Sequence, residues 1–90
     1  MFMKIYAIKD CKIGFSNSIF LKTSDELALR DFTILVNQPG TTVQMFPADF
    51  ELYCVGDYDQ NSGVIISDIR FISNALSLVG KIKFSEDKND

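Results

Sequence analysis

Between Pro47 and Asp59 the chain alternates, setting Phe50, Leu52, Cys54 and Tyr58 on a period of two. That is the period of a strand with one face buried and the other exposed. Pro47 and Asp49 supply a turn into this run, and residues 59–63 supply the turn out of it. A second run, residues 64–69, follows at once. The two read as an antiparallel hairpin with Gly63 in the positive-φ position of the connection.

The N-terminal part repeats the strand signal. Residues 2–9 read as a first strand, with Met3, Ile5 and Ala7 on one side and Phe2, Lys4, Tyr6 and Ile8 on the other. Residues 10–18 read as a polar connection broken at Gly14, and 19–22 as a short strand returning antiparallel to the first. The period then changes. Thr23-Ser24-Asp25-Glu26 is a helix start in which Thr23 accepts from the Glu26 amide while Glu26 reaches back. Asp25 and Glu26 suit the positive end of that helix. At 100° per residue, Ala28, Leu29, Phe32, Leu35 and Val36 share one face, with Arg30 nearly opposite and Leu27 and Ile34 on a flank. Asn37-Gln38-Pro39-Gly40 stops the helix, because proline disfavours a helical residue before it.

Residues 41–45 read as extended or coil. In 71–79 a single helical turn through Ala75, Leu76 and Val79 is expected, capped by Ser73 or Asn74 and ended by Gly80. The fold class is therefore α+β: a small antiparallel sheet of about four strands, covered on one face by a helix near residues 24–37. Residues 1–84 form a single domain, and residues 85–90 are a frayed polar tail.

Ninety residues make one small domain that buries only about two-thirds of its unfolded surface. Eight Phe and three Tyr are more rings than such a core encloses, so some of them meet a second subunit or a ligand. A homo-oligomer is expected, a dimer above all, with Leu27 and Ile34 at its interface. The sequence has no histidine, and Cys11 and Cys54 are too far apart for a CxxC site. Those two facts argue against a metal centre and exclude histidine-dependent catalysis. The two thiols are expected to be free. Asp57, Asp59 and Asp68 read as solvated acids around a turn rather than as cation ligands. Glycine-rich phosphate loops are missing. No catalytic residue, cofactor or metal is expected. No apolar run approaches the ~20 residues of a membrane span, and the start lacks a leader's long apolar stretch, so the expectation is a cytoplasmic protein without membrane contact.

Charge is distributed in blocks. Lys4, Lys9, Lys12 and Lys22 oppose only Asp10 in the first 23 residues, while Arg30 stands alone among the acids of residues 24–69. A sequence pI near 4.7 argues against a sequence-blind DNA coat, whose binding rests on neutralising phosphates. If Met3, Ile5, Ala7, Ile19 and Leu21 face inward, then Lys4, Tyr6, Phe20 and Lys22 face outward together. Cations interleaved with rings suit a single strand, since phosphates meet the cations while bases stack on the rings. Lys12 and Arg30 complete this candidate nucleic-acid-binding set. The competing assignment packs Tyr6 and Phe20 under the C-terminal segment or across a dimer interface, since aromatic stripes of small domains are usually core. Arg30 likewise has a plainer role, a surface pair with Glu26 four residues earlier.

Ala28-x-Arg30-x-Phe32-x-x-Leu35-Val36-Asn37, the alternating run 47–59, Lys4-Ile5-Tyr6 and Phe15-x-Asn17-x-x-Phe20 occur here in a fixed order. Together they resemble the small nonstructural protein of gokushovirus-type microviruses, icosahedral single-stranded DNA phages. The likeness covers roughly residues 3–64, and the chain after Gly63 departs from it. The resemblance implies a non-virion accessory protein working in the host cytoplasm, in viral-strand synthesis or packaging. Its expected partners are phage replication or procapsid proteins, with direct single-stranded DNA contact as the weaker component. The alternative is an interaction adaptor that binds a host or phage protein and touches no nucleic acid. Lysines and Arg30 clustered beside exposed rings would favour DNA, whereas dispersal among carboxylates would favour the adaptor.

Overall fold

Among the described residues, four antiparallel strands and one main helix form two layers. The computed structural model describes residues 1–82, apart from the side chains of residues 16–18. The tail expected over 85–90 lies outside the described residues. Strands β1 (Phe2–Asp10), β2 (Gly14–Lys22), β3 (Phe50–Asp59) and β4 (Ile65–Asn74) stand in the order β2-β1-β3-β4. Helix α1 (Asp25–Asn37) and the short helix α2 (Thr42–Met45) connect the two hairpins, and α1 lies across one face of the sheet.

Local chemistry explains most boundaries. The α1 N-cap is Ser24, one residue after the expected Thr23; its hydroxyl accepts from the Leu27 amide at 3.3 Å. That placement puts Asp25 at the first helical position, where its carboxylate can reach the sheet. The expected apolar face is the buried one: Ala28, Phe32 and Val36 are enclosed, and Leu29 and Leu35 pack at its margin. Asn37 closes the other end. Its amide nitrogen donates to the carbonyls of Thr33 (2.8 Å) and Leu78 (3.0 Å), and its oxygen accepts from the Gly80 amide at 2.7 Å. Residues 41–45, expected to be extended, instead form α2, because the Thr41 hydroxyl caps the Gln44 amide at 3.0 Å.

Both hairpins are longer than the sequence pattern suggested. β2 begins at Gly14, so the β1–β2 connection shrinks to three residues, and Phe15 pairs with Lys9. β4 runs on to Asn74, whose side chain then accepts from the Ser77 amide and caps a final turn of 3-10 helix, Leu76–Leu78. Gly63 has φ of +79°, as its turn requires. Asp59 organises that turn by accepting from the Asn61 amide and the Ser62 hydroxyl, both at 2.9 Å.

One irregularity changes which residues share a face. Ile5 pairs with Gly56 but Tyr6 pairs with Cys54, leaving Val55 as an extra residue in β3. Such a bulge reverses the alternation beyond it. Phe50, Leu52 and Cys54 point at the helix, while Tyr58, paired with Met3, points away from it. Gly56 sits under the bulge; a methyl group there would run into the Ile66 carbonyl oxygen.

The core lies between α1 and the sheet and holds Tyr6, Phe32, Leu52 and Cys54, with Val43, Phe50 and Ala75 at one end. Phe32→Ala should cost about 3–5 kcal/mol, as expected for removing a buried ring. Ile34→Ala, on the half-exposed flank of the same helix, should cost under about 1 kcal/mol. Urea denaturation of the two variants checks the contrast.

Candidate functional site

The side of the sheet that α1 leaves bare carries the unusual surface of this molecule. β1 alternates without interruption. Lys4, Tyr6 and Ile8 therefore point to the helix, and Met3, Ile5, Ala7 and Lys9 point to the open side. Pairing carries that division across the sheet, adding Phe15, Ile19 and Leu21 from β2, Glu51, Tyr53 and Tyr58 from β3, and Ile65 and Phe71 from β4.

Two zones divide this face along the strands and meet at Ala7, which pairs with both Ile19 and Tyr53. At one end Phe15, Tyr53 and Phe71 make a row of rings across the strands, packed edge-to-face with centroids 5.2 and 5.6 Å apart. The Lys9 ammonium lies 5.7 Å from the Phe15 ring and 5.8 Å from the Tyr53 ring, within cation–π range. The Tyr53 hydroxyl donates to Glu51 at 3.0 Å, which together with burial keeps the phenol above its ordinary pKa. At the other end Ile5 floors a shallow depression walled by Ile19, Leu21, Tyr58 and Ile65. Exposure is high for apolar side chains: Ile19 and Ile65 are each 64% exposed, Phe71 52%, Phe15 45% and Leu21 43%.

The outward orientation on which the candidate strand-binding set rests is reversed, and Tyr6 and Phe20 are packed as in the competing assignment. Lys4, Tyr6, Phe20 and Lys22 do share a side, but it is the side α1 covers. Tyr6 is 0% exposed and stacks on Phe20 with ring centroids 5.6 Å apart, so its ring is not available to a base. The physical reason is its hydroxyl. A buried tyrosine needs a partner for that group, and Tyr6 donates to Asp25 Oδ1 at 2.6 Å. Burial and this carboxylate push the Tyr6 pKa well above its ordinary value. Asp25 is gripped from the other side by Arg70, whose nitrogens lie 3.1 and 3.3 Å from its two oxygens. Arg70, then Tyr6, hold the Asp25 carboxyl below its ordinary pKa.

The cations proposed from sequence are dispersed. Lys4 pairs with Asp57 at 3.3 Å, and Lys22 with Asp31 at 2.6 Å. Lys12 is exposed in the β1–β2 turn, and Arg30 is exposed on the outer face of α1. No ion pair joins Arg30 to Glu26 among the described residues. Such a pair is worth only about 0.3–0.5 kcal/mol, too little to hold two long side chains together. Leu27 and Ile34 are both about one-third exposed, and Ile34 borders a groove between α1 and the β2 edge with Phe20, Leu21 and Leu35. Cys11 is exposed, Cys54 is buried, and both are free thiols. Among the described residues no cluster of acids, cysteines or histidines could hold a metal.

Sequence reasoning missed Lys9, Phe15, Tyr53 and Phe71 as one surface. Phe15 fell in an expected connection and Phe71 in a segment expected to hold a helical turn. The available signal was Tyr53, which sits out of phase with Phe50, Leu52 and Cys54 in the same strand.

A family model described as Phage ORF5 protein matches residues 3–78. The chain belongs to that family. The match runs from β1 through the last turn of 3-10 helix and so takes in the region after Gly63. No curated protein and no solved structure matches the chain. Among the described residues of this phage ORF5 protein, no helix is long and apolar enough to cross a membrane.

Asp25 gives a prediction in pH. A carboxyl whose folded-state pKa is lowered contributes stability that is complete above its unfolded value, near 3.8, and is lost as pH falls through the folded value. Asp25→Asn should therefore be less stable at pH 7 by about 1 kcal/mol, the scale for a half-exposed pair. It should also lose less stability than wild type as the pH is lowered below about 4. Asp59, lowered chiefly by the Asn61 amide, keeps some acid sensitivity in both proteins. Thermal melts from pH 7 to pH 2 read the difference.

Proposed function

We propose that this phage ORF5 protein is a non-virion accessory protein of a gokushovirus-type microvirus. It acts in the host cytoplasm, in viral-strand DNA synthesis or packaging, by contacts with phage replication or procapsid proteins, and it performs no catalysis. The observation that carries the reading is the bare sheet face. Apolar side chains such as Ile19, Ile65 and Phe71 are arranged on rigid strands, and they serve contact rather than chemistry. Family membership supports the phage setting, and the ordered motifs of residues 3–64 support the microvirus assignment.

Protein contact ranks above strand contact for an electrostatic reason. Lys4 and Lys22 are already engaged by Asp57 and Asp31. Lys9 is the one cation on the open side among the described residues, and it lies opposite Glu51 in register. Binding of single strands draws on phosphate neutralisation and ring stacking together, and here only the rings are in supply. A weak component through Lys9, Phe15 and Phe71 remains part of the reading because that ring row is exposed beside a cation.

Two measurements test this. In cells infected with phage whose copy of the gene is inactivated, single-stranded viral DNA in particles should fall at least tenfold while double-stranded intermediates persist. Mass spectrometry of purified wild-type virions should lack the protein. Stoichiometric protein in virions, or undiminished single-stranded DNA, would overturn the reading. Titration of labelled single- and double-stranded DNA should give, at most, weak single-strand binding at 50 mM salt. Its slope against log salt should be near −0.7, the value for one phosphate contact. A slope of −3 or steeper would make nucleic acid the main partner instead.

A further inference from the structure

We propose that the open face of the sheet is covered by a second copy of this chain, giving a symmetric dimer in which two sheets pack face to face and the two α1 helices lie outermost. This rests on the protein-contact reading and names the first such contact. It also moves the interface away from Leu27 and Ile34, which lie on the opposite, helix-bearing side.

Three features of the face point to a copy of itself. The first is area. Four strands ~4.8 Å apart and nine or ten residues long, at ~3.3 Å each, present roughly 19 × 30 Å, or on the order of 570 Å² per copy before side-chain relief is added. Two copies then bury at least ~1,100 Å², at the threshold for a specific interface. An exposed face of this size, largely apolar, is the kind of surface that marks an interaction site.

The second is shape. The row Phe15, Tyr53, Phe71 stands toward one end of the face, and the depression around Ile5, Ile19, Leu21, Tyr58 and Ile65 runs from the level of Tyr53 to the other end. A twofold axis lying between the sheets and running across the strands reverses strand direction. It sets the rings of each copy over the depression of the other, an arrangement that satisfies both ends at once. Aligned sheets packed ~10 Å apart are a standard solution for two apolar sheet faces.

The third is charge. The open side holds Lys9 and Glu51 next to each other in register, so the charges it brings under a partner cancel within each copy. A nucleic-acid strand would meet a single cation with a carboxylate beside it. An identical face meets no net charge at all.

Sedimentation equilibrium of the full chain between 1 and 100 µM tests the proposal. The expected wild-type mass is that of two chains. Phe71→Lys at the ring end and Ile65→Lys at the depression should each weaken the dimer at least ~30-fold, the loss typical of an interface hot spot. Both should keep the wild-type far-UV circular dichroism, because both side chains are more than half exposed. Ile34→Lys, on the helix side, should leave the dimer intact. A wild-type monomer at 100 µM overturns the proposal. So does a dimer that survives both open-face substitutions, or one abolished by Ile34→Lys alone. If the wild type is monomeric and Phe71→Lys abolishes binding of labelled single-stranded DNA, the face belongs to nucleic acid. None of these outcomes depends on the infection phenotype, so failure of the dimer is separable from failure of the accessory role.

Discussion

Asp25 holds the architecture in its observed orientation. Its carboxylate lies where three elements meet: the first turn of α1, the middle of β1 through Tyr6, and β4 through Arg70. Each partner has a need that Asp25 meets. The Tyr6 hydroxyl would be a buried donor without an acceptor, at a cost of about 1–3 kcal/mol. Arg70 would project from an edge strand without a counterion. Asp25 itself is favoured at a helix N-terminus, where the peptide dipoles present positive charge. Removing the carboxylate leaves all three unsatisfied together, so the pair energies do not simply add.

From that contact the two faces follow. Once Tyr6 is drawn under α1, strand alternation sends Ile5 and Ala7 to the far side, and pairing sends Ile19, Leu21 and Tyr53 with them. A single helix covers only one face of a four-stranded sheet, and a chain of this length has no second long helix among its described residues. The molecule therefore has more apolar surface than its own layers can enclose. The bulge at Val55 adds to the excess by rotating Tyr58 outward. Domains of this size usually resolve such an excess by association.

Much of the fold was legible because it depends on local chemistry. The α1 stripe, its start within residues 23–26, the stop at Pro39 and the positive φ of Gly63 are each written in one short segment. Boundaries slipped where a single side chain decided between neighbours, as when Ser24 rather than Thr23 took the cap. The side of the first hairpin was not legible, because both of its faces are apolar: Met3, Ile5 and Ala7 on one, Tyr6, Ile8 and Phe20 on the other. What separates them is a hydrogen bond from Tyr6 to a residue nineteen positions away, and periodicity carries no information about that. The candidate surface shifted for the same reason. It was built on the alternation of β1 and β2, and reversing that alternation exchanged one set of rings and cations for another.

The exchange alters the kind of surface on offer as well as its membership. Lys4 and Lys22, on the covered side, are spent on Asp57 and Asp31, contacts that tie β1 to β3 and β2 to α1. These lysines act inside the fold. The open side receives the aliphatic and aromatic residues with one compensated charge pair, a composition closer to the middle of a protein interface than to a phosphate-binding track. Engaging Lys4 and Lys22 with carboxylates also removes two cations from those free to meet a polyanion on an acidic protein. On the proposed reading, a preference for protein partners over nucleic acid then needs no dedicated device. It follows from where one tyrosine hydroxyl found its acceptor.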